Sequence, residues 1–223
     1  MKVQIEVREV ARYLGLRRGH TLSAEWREQL EKIIKEAEGL VEPGVAWRTY
    51  RVAKRLPREI RLVGTDLRIT GPHTVARQGE AAYITALSIT CGPALEEAAA
   101  QAFAIGEYVR GAILDAAGSA AAESLADEVN ALVRSEACAQ GYSLRARVSP
   151  GYGDWSLDIQ PQLRQAAGGD KLGITLNEAL LLVPRKSITA VIAWTQETGV
   201  TEETRRADSC RNRPQTDCRY RKE

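Results

Sequence analysis

Residues 187–194 read SITAVIAW, and this stretch decides the fold. Alternate residues of a β-strand point to opposite faces of the sheet. Here Ile, Ala, Ile and Trp at the even positions alternate with Thr, Val and Ala at the odd positions, so both sets are largely apolar. A strand that is apolar on both faces is typical of the middle of a sheet. We therefore expect 187–194 to form a central strand.

Other stretches have the composition of partner strands. Runs rich in β-branched and aromatic residues follow Glu42-Pro43-Gly44, and the second and third of them are separated by Gly64-Thr65, as in a hairpin. We predict strands at WRTYRVAK (47–54), EIRLV (59–63), DLRIT (66–70), AAYITALSIT (81–90), RARVS (145–149) and LLLV (180–183).

Helical spacing dominates the beginning of the chain and its middle. A first helix carries Val7, Val10, Ala11 and Leu14 on one face and stops at Gly15. A second helix has Ser23 as N-cap and Gly39 as its C-terminal stop. Its apolar face comprises Leu22, Trp26, Leu30, Ile33, Ile34 and Ala37.

A long alanine-rich helical block is predicted from Pro93 to Gln140, with a break or bend near Gly106 or Gly111. Small side chains on one face of it favour close packing against a neighbour. The glycines of this block do not suit a phosphate loop, because more glycine before the helix and a lysine after it are missing.

Two shorter helices are expected nearer the C-terminus. One covers SLDIQPQLRQAAGG (156–169), with Pro161 in its first turn, and a capping-box pattern at 175–178 predicts the other. Strands, one helical block and strands again indicate an α+β fold rather than a βαβ array. We expect a single domain over 1–197 and an exposed, polar and basic tail over 198–223.

Composition excludes several classes of function. A net charge of +2 and an aromatic content of 5% argue against nucleic acid as a partner. No apolar run is long enough for a membrane span, and the charged N-terminus does not resemble a secretory signal. The scattered cysteines favour a reducing cytoplasmic location. With only two histidines, a histidine-rich metal site has little material and no Ser/His/Asp or Cys/His arrangement can be assembled, so we predict no catalytic and no metal-binding residues.

Residues 147–155, RVSPGYGDW, contain the best candidate for ligand binding. A guanidinium at Arg147 can hold a carboxylate through two parallel hydrogen bonds. Pro150 and Gly151 make a stiff turn directly beyond it, where backbone groups could meet a second polar group such as an adenine edge. The alternative is a surface turn beside a solvated arginine.

These residues resemble a known family. Arg147 to Tyr152 resemble the R-x-x-x-G-Y motif, in its R-x-x-P-G-Y form, of the activation domain of cobalamin-dependent methionine synthase. The upstream block YVRGAILDAAGSAAAESLADEV and the downstream LGITLNEALLLVPRKSITAVIAW are similar to the segments that flank this motif in the family. The resemblance covers roughly residues 75–195. EVARYLG near the start and CRYR near the end are similar to stand-alone versions of the domain.

The resemblance implies a bent antiparallel sheet with a long helical block packed on it. It also implies S-adenosylmethionine binding and the rescue of a synthase whose cob(I)alamin has oxidised to cob(II)alamin, with an electron from flavodoxin or another reductant. Arg147 would bind the ligand carboxylate, and Pro150, Gly151 and Tyr152 would form the turn that meets the adenosyl part. Such a domain positions a methyl group and needs no acid or base.

The sequence departs from the family in ways that leave alternatives open. The family's early aspartate, which contacts the ligand amino group, has no equivalent before Asp66, so either Glu6 or Glu9 replaces it or the contact is missing. No cobalamin-binding module is present, so the cobalamin would be carried by a separate partner, either the synthase or another corrinoid methyltransferase protein. A third possibility is a non-enzymatic partner or sensor module without ligand. Cys210 and Cys218 could be a redox pair, part of a metal site or incidental thiols.

Overall fold

The computed structural model describes residues 3–16 and 23–196. The fold is a curled antiparallel sheet with helices on both faces. The helices are α1 Val7–Tyr13, α2 Ala24–Leu40, α3 Pro72–Arg77, α4 Ala94–Ala104, α5 Tyr108–Ala139 and α6 Gln160–Ala166. The strands are β1 Gly44–Leu56, β2 Glu59–Leu62, β3 Arg68–Thr70, β4 Ala81–Thr90, β5 Ser143–Leu144, β6 Thr175–Leu176, β7 Leu182–Val183 and β8 Ser187–Thr195.

The main sheet has the strand order β3-β2-β1-β4-β8-β5, and β6 and β7 form a separate two-stranded ribbon. The centre of the main sheet is the antiparallel pair β4–β8, which keeps one register from Thr90 opposite Ser187 to Tyr83 opposite Trp194, and a bulge then shifts Ala81 opposite Thr195. Apart from the half-buried Ile188, every residue of β8 is buried. The prediction of a central strand at 187–194 is therefore confirmed, as is the predicted α+β class with a bent antiparallel sheet.

The two faces of β4 and β8 belong to two separate cores. On one face Leu87, Ile192 and Trp194 pack with α1, α2, α4 and α5 in the larger core. On the other face Ala86 and Val191 join a smaller core with β2, β3, α3 and α6. Because side chains alternate along a strand, one pair of strands supports both cores at once.

The helical block breaks at Gly106, which has φ +83°, whereas Gly111 lies inside α5. A break at Gly106 is favourable because glycine has no Cβ to oppose a positive φ. The small side chains of α5 allow close packing, since a Cβ on Gly118 would lie 3.0 Å from Leu95 Cδ2 and from Lys186 Cε. This is the close packing that the small residues of the sequence predict.

Three local predictions are wrong. Residues 175–178 form β6 and a turn rather than a helix, because the Asn177 side chain accepts hydrogen bonds from the backbone of Ala179 and Leu181 at 3.0 and 2.9 Å. Gly39 lies inside α2, which continues to Leu40. The segment 145–149 is not a regular strand, since its bridge is confined to Val148 and Val191. The predicted tail 198–223, with both of its cysteines, lies outside the described residues.

A buried hydrogen bond across the sheet provides a test of this core. Trp194 Nε1 donates to Thr85 Oγ1 at 2.8 Å, and both residues are almost completely buried. Thr85→Val keeps the shape but leaves the indole N–H without a partner, which should lower the free energy of unfolding by about 1–3 kcal/mol. Urea denaturation measures this loss.

Thr49→Val is the matched control, because Thr49 Oγ1 contacts Thr85 Oγ1 at 2.8 Å without contacting the indole. It should have the smaller effect. Equal losses for the two variants would contradict the importance assigned to the indole hydrogen bond.

Candidate functional site

Arg147 lies between the sheet and α5. Its neighbour Val148 is held against β8 by two backbone hydrogen bonds with Val191, of 3.0 and 2.8 Å. The Arg147 side chain extends to α5, where its guanidinium contacts Glu123 Oε2 at 2.8 Å and Asp127 Oδ1 at 3.3 Å. This side chain is only 17% exposed. The structure therefore does not support a fully solvated arginine.

The residues after Arg147 form the tight turn that the sequence predicts. Gly151 has φ +83°, and its N–H donates to Trp155 O at 2.8 Å. A Cβ at Gly151 would lie 3.1 Å from Leu157 Cδ2. Pro150 is buried, whereas Tyr152 is 64% exposed. The four residues predicted to bind ligand thus form one short segment, with Tyr152 facing solvent.

The end of the motif has a structural role that the sequence did not reveal. The carboxylate of Asp154 accepts hydrogen bonds from His73 N at 2.8 Å, Thr74 N at 2.9 Å and Thr74 Oγ1 at 2.7 Å. It therefore satisfies free amides in the first turn of α3. Trp155 is buried in the smaller core. Together these two residues fix the turn that begins at Pro150.

A row of polar residues on α5 faces the same region. Asp115, Ser119, Glu123 and Asp127 follow one another at intervals of four, so they lie on one side of the helix. Lys186 Nζ contacts Asp115 Oδ1 at 2.8 Å and Ser119 Oγ at 3.0 Å, and its side chain is 10% exposed. The row thus places carboxylates next to two cations, Lys186 and Arg147, along one side of α5.

The edge of β8 beside this row is partly open. The segment from Ser143 to Val148 pairs with β8 only between residues 191 and 195. Within the described parts of the chain, no strand pairs with 187–190 on that edge. Backbone groups of a strand without a partner can bind a ligand.

Two of the clefts among the described residues are lined by residues other than Arg147, Pro150, Gly151 and Tyr152. The cleft of about 690 Å³ between α1, α4 and α5 has Asp115, Ser119 and Arg185 at its polar end, together with Tyr13 and apolar residues. It therefore shares residues with the polar row. Burial raises the pKa of Tyr13, and the nearby Glu123 carboxylate adds to this rise. The other cleft, of about 580 Å³, lies around Gly44 and Pro184.

No cluster of three or more potential metal ligands occurs among residues 3–16 and 23–196. Burial raises the pKa of the Cys91 thiol to about 12, and the Lys186 ammonium offsets this only in part. The thiol therefore stays protonated at neutral pH and is a poor nucleophile. Across the described parts of the chain, no helix has the length and apolar character needed to cross a bilayer.

Comparison with known proteins shows the fold. No family model matches the chain, and neither does any curated protein. Among solved structures, the chain is similar to the MetH reactivation domain in its crystal structure bound to AdoHcy, with a TM-score of 0.62 and 13% sequence identity. The match covers 94% of this chain and 86% of the other. The chain therefore has the fold of a MetH reactivation domain.

The turn at 150–155 lies where the sequence predicts it, but the groups around Arg147 were not predicted. The carboxylates beside Arg147 come from α5, whereas Glu6 and Glu9 lie at the start of α1. The signal was present in DAAGSAAAESLAD (115–127), where polar residues recur every fourth position among alanines. The recurrence alone does not predict its partner, because Arg147 is 20 residues from Asp127 and 24 from Glu123 in the chain.

The hydrogen bonds that Asp154 accepts from the first turn of α3 predict how the stability of the protein depends on pH. Burial alone would raise the pKa of Asp154, but the hydrogen bonds from Thr74 and His73 outweigh it and lower the pKa. A lowered pKa means that the carboxylate contributes stability above its unfolded pKa of about 3.9, and that this contribution is lost as the pH falls through the folded value. Asp154→Asn should therefore cost about 1 kcal/mol of unfolding free energy at pH 7.

Urea denaturation of both proteins between pH 7 and pH 3 should show the difference shrinking below about pH 4. Asp66→Asn, at an exposed position whose side chain has no hydrogen bond to the described residues, is the control and should change little. A difference that stays constant down to pH 3 would rule out the carboxylate as the cause.

Proposed function

We propose that this protein binds S-adenosylmethionine beside Arg147 and supports the reductive remethylation of cob(II)alamin on a separate cobalamin-dependent methionine synthase. The observation that carries the proposal is one guanidinium flanked by two carboxylates at the open edge of the sheet. A fold shared with a reactivation domain that was crystallised with AdoHcy supports it.

The charges of the groove fit the amino acid end of such a ligand. This end carries a carboxylate and an ammonium group, which need one cation and one anion at close range. Arg147 supplies the cation, and Glu123 or Asp127 supplies the anion. A ligand carboxylate would share the Arg147 guanidinium or displace the longer contact, of 3.3 Å, to Asp127. Glu123 then takes the role that the sequence analysis assigned to Glu6 or Glu9.

The turn beyond Arg147 suits the adenosyl part. Tyr152 offers an exposed ring next to a backbone held rigid by Gly151 and by the buried Pro150. An aromatic ring provides a large contact area at a small cost in conformational entropy. Because Asp154 and Trp155 fix the end of the turn, this part of the site is formed before ligand arrives.

The role in reactivation is one of positioning. S-adenosylmethionine supplies a methyl group already activated on a sulfonium, and the electron comes from flavodoxin or another reductant. The groove has to orient the donor and keep it next to the partner's corrin, which requires no acid or base from this chain. The cobalamin belongs to the partner, so the protein acts in trans. The setting is methionine biosynthesis in the cytoplasm.

One observation favours a second candidate. Arg147 has two acidic partners within the protein, as a purely structural ion pair would have. A partner or sensor module that keeps the fold without a ligand would show the same contacts. A reactivator of a different corrinoid protein would share the ligand site and differ only in its partner.

The ligand contact is tested by Arg147→Ala. Loss of a charge-assisted hydrogen bond to the ligand carboxylate should weaken binding of S-adenosylmethionine by about 1.5–3 kcal/mol, measured by isothermal titration calorimetry. Arg110→Ala is the control, because Arg110 forms a comparable ion pair with Glu36 away from the site. Unchanged affinity in Arg147→Ala, or no binding to the wild-type protein at millimolar ligand, would favour the ligand-free module.

Glu123→Gln tests the contact to the ligand's ammonium group separately from the contact to its carboxylate. The variant keeps a hydrogen-bonding side chain but removes the charge, so we expect affinity to fall by about 1 kcal/mol or more. Decarboxylated S-adenosylmethionine, which keeps an amino group, should be sensitive to Glu123→Gln and insensitive to Arg147→Ala. Sensitivity of this analogue to the arginine variant would show that the contacts are assigned wrongly.

The partner is tested by absorption spectroscopy of a methionine synthase in the cob(II)alamin state. Addition of this protein, a reductant and S-adenosylmethionine should convert the spectrum to that of methylcobalamin, and Arg147→Ala should slow the conversion about tenfold or more at limiting ligand. Ligand binding without any conversion would point to another corrinoid protein as the partner.

A further inference from the structure

The outer strands of the sheet carry a row of like charges. The register places Lys54 of β1 opposite Arg61 of β2, and Arg61 opposite Arg68 of β3. Residues directly opposite each other in a sheet project from the same face. All three side chains are exposed. Neighbouring strands lie about 4.8 Å apart, so these three cations form a compact row, which we call the cationic ladder.

The surrounding structure fixes the ladder on the outer face. Ile60 and Ile69, which alternate with ladder residues along their strands, are fully buried in the smaller core. A shift of register by one residue would bury the cations and expose the isoleucines. The β-bulge between Val52 and Lys54 changes the alternation of β1, so that Val52 faces the core and Lys54 faces solvent.

The cationic ladder destabilises the isolated protein. Like charges directly opposite each other destabilise a sheet. Glu59 contacts Arg61 at 2.8 Å and Arg68 at 3.2 Å, and it neutralises only part of the row. Lys54 has no acidic partner within residues 3–16 and 23–196. A local rule that is broken with only partial compensation inside the fold is typical of a surface that functions in binding.

The ladder belongs to a wider region of one sign. Residues 44–79, the basic wing, contain eight Lys or Arg and two Asp or Glu. The rest of the described chain is acidic, with 21 Asp or Glu against 13 Lys or Arg. The described part of the chain is thus strongly polarised, although the net charge of the whole sequence is only +2.

We propose that the cationic ladder Lys54–Arg61–Arg68 is the docking surface for a folded protein that presents a local acidic patch. Charge complementarity selects the class of partner. A long polyanion such as DNA, or an anionic bilayer, would extend from the ladder over the acidic remainder of the molecule and be repelled there. A compact partner with a patch of carboxylates matches the basic wing and avoids that repulsion. The surface is independent of the ligand groove.

The experiment uses a labelled helical peptide with glutamates at every fourth position, and a twin with glutamines, in fluorescence anisotropy at low salt. Such a peptide presents a row of carboxylates on one face. We expect Lys54→Glu to weaken binding of the glutamate peptide about tenfold, Lys54→Gln to have an intermediate effect, and the glutamine twin not to bind. The exposed Lys32→Glu on α2 makes the same change of net charge and should alter binding less than about twofold.

In thermal unfolding of the free protein, we expect Lys54→Glu to raise stability, whereas it weakens peptide binding. Lys54→Glu places a carboxylate opposite Arg61 and removes a like-charge contact, so the melting temperature should rise by about 1–3 °C while binding falls. Lys32→Glu should not raise it, because Glu28 and Glu36 lie one turn away on either side.

Four outcomes would overturn the proposal. Equal effects of Lys54→Glu and Lys32→Glu on peptide binding would show attraction by net charge alone. Tighter, Lys54-dependent binding of a DNA duplex would make the surface a nucleic-acid site, and the same result with phosphatidylserine vesicles would make it a membrane site. Self-association in sedimentation that Lys54→Glu abolishes would make a second copy of this chain the partner.

Discussion

The hydrogen-bonded pairing of β4 with β8 is the constraint on which the rest of the structure depends. The two strands are buried together from Ala81 and Thr195 at one end to Thr90 and Ser187 at the other. Because their side chains alternate between two cores, a slip of one residue would move every apolar group to the wrong core. The helices on one face and the smaller core on the other are both arranged around this single register.

The candidate site is a consequence of the same pairing. β8 holds Val148 by its outer edge, and α5 is held by the larger core that the other face of β4 and β8 supports. Arg147 therefore spans two elements that are each fixed independently, the sheet edge and the helix. A guanidinium held in this way keeps a constant orientation, which binding of a planar carboxylate requires.

Sequence was a good guide wherever the pattern was long and periodic. β4 begins and ends where its alternation predicts, and β8 ends one residue beyond its predicted stretch, because strands buried on both faces leave little freedom of register. It failed where one side chain decides between local structures. The pattern at 175–178 fits a capping box, yet the Asn177 carboxamide closes a turn between β6 and β7. No periodic signal separates these two uses of a short polar side chain.

The site was predictable to the extent that it is contained in one segment. Arg147, Pro150, Gly151 and Tyr152 are neighbours in the chain, so their turn could be predicted from local chemistry alone. The acidic groups that complete the charge pattern are about 20 residues away on α5, and only packing brings them to the arginine. The segment 147–155 also has two structural roles. Its first part presents a cation and a ring, while Asp154 and Trp155 anchor it to α3 and to the smaller core. Because the anchor lies outside the first half of the segment, Arg147 and Tyr152 can change without loss of the turn.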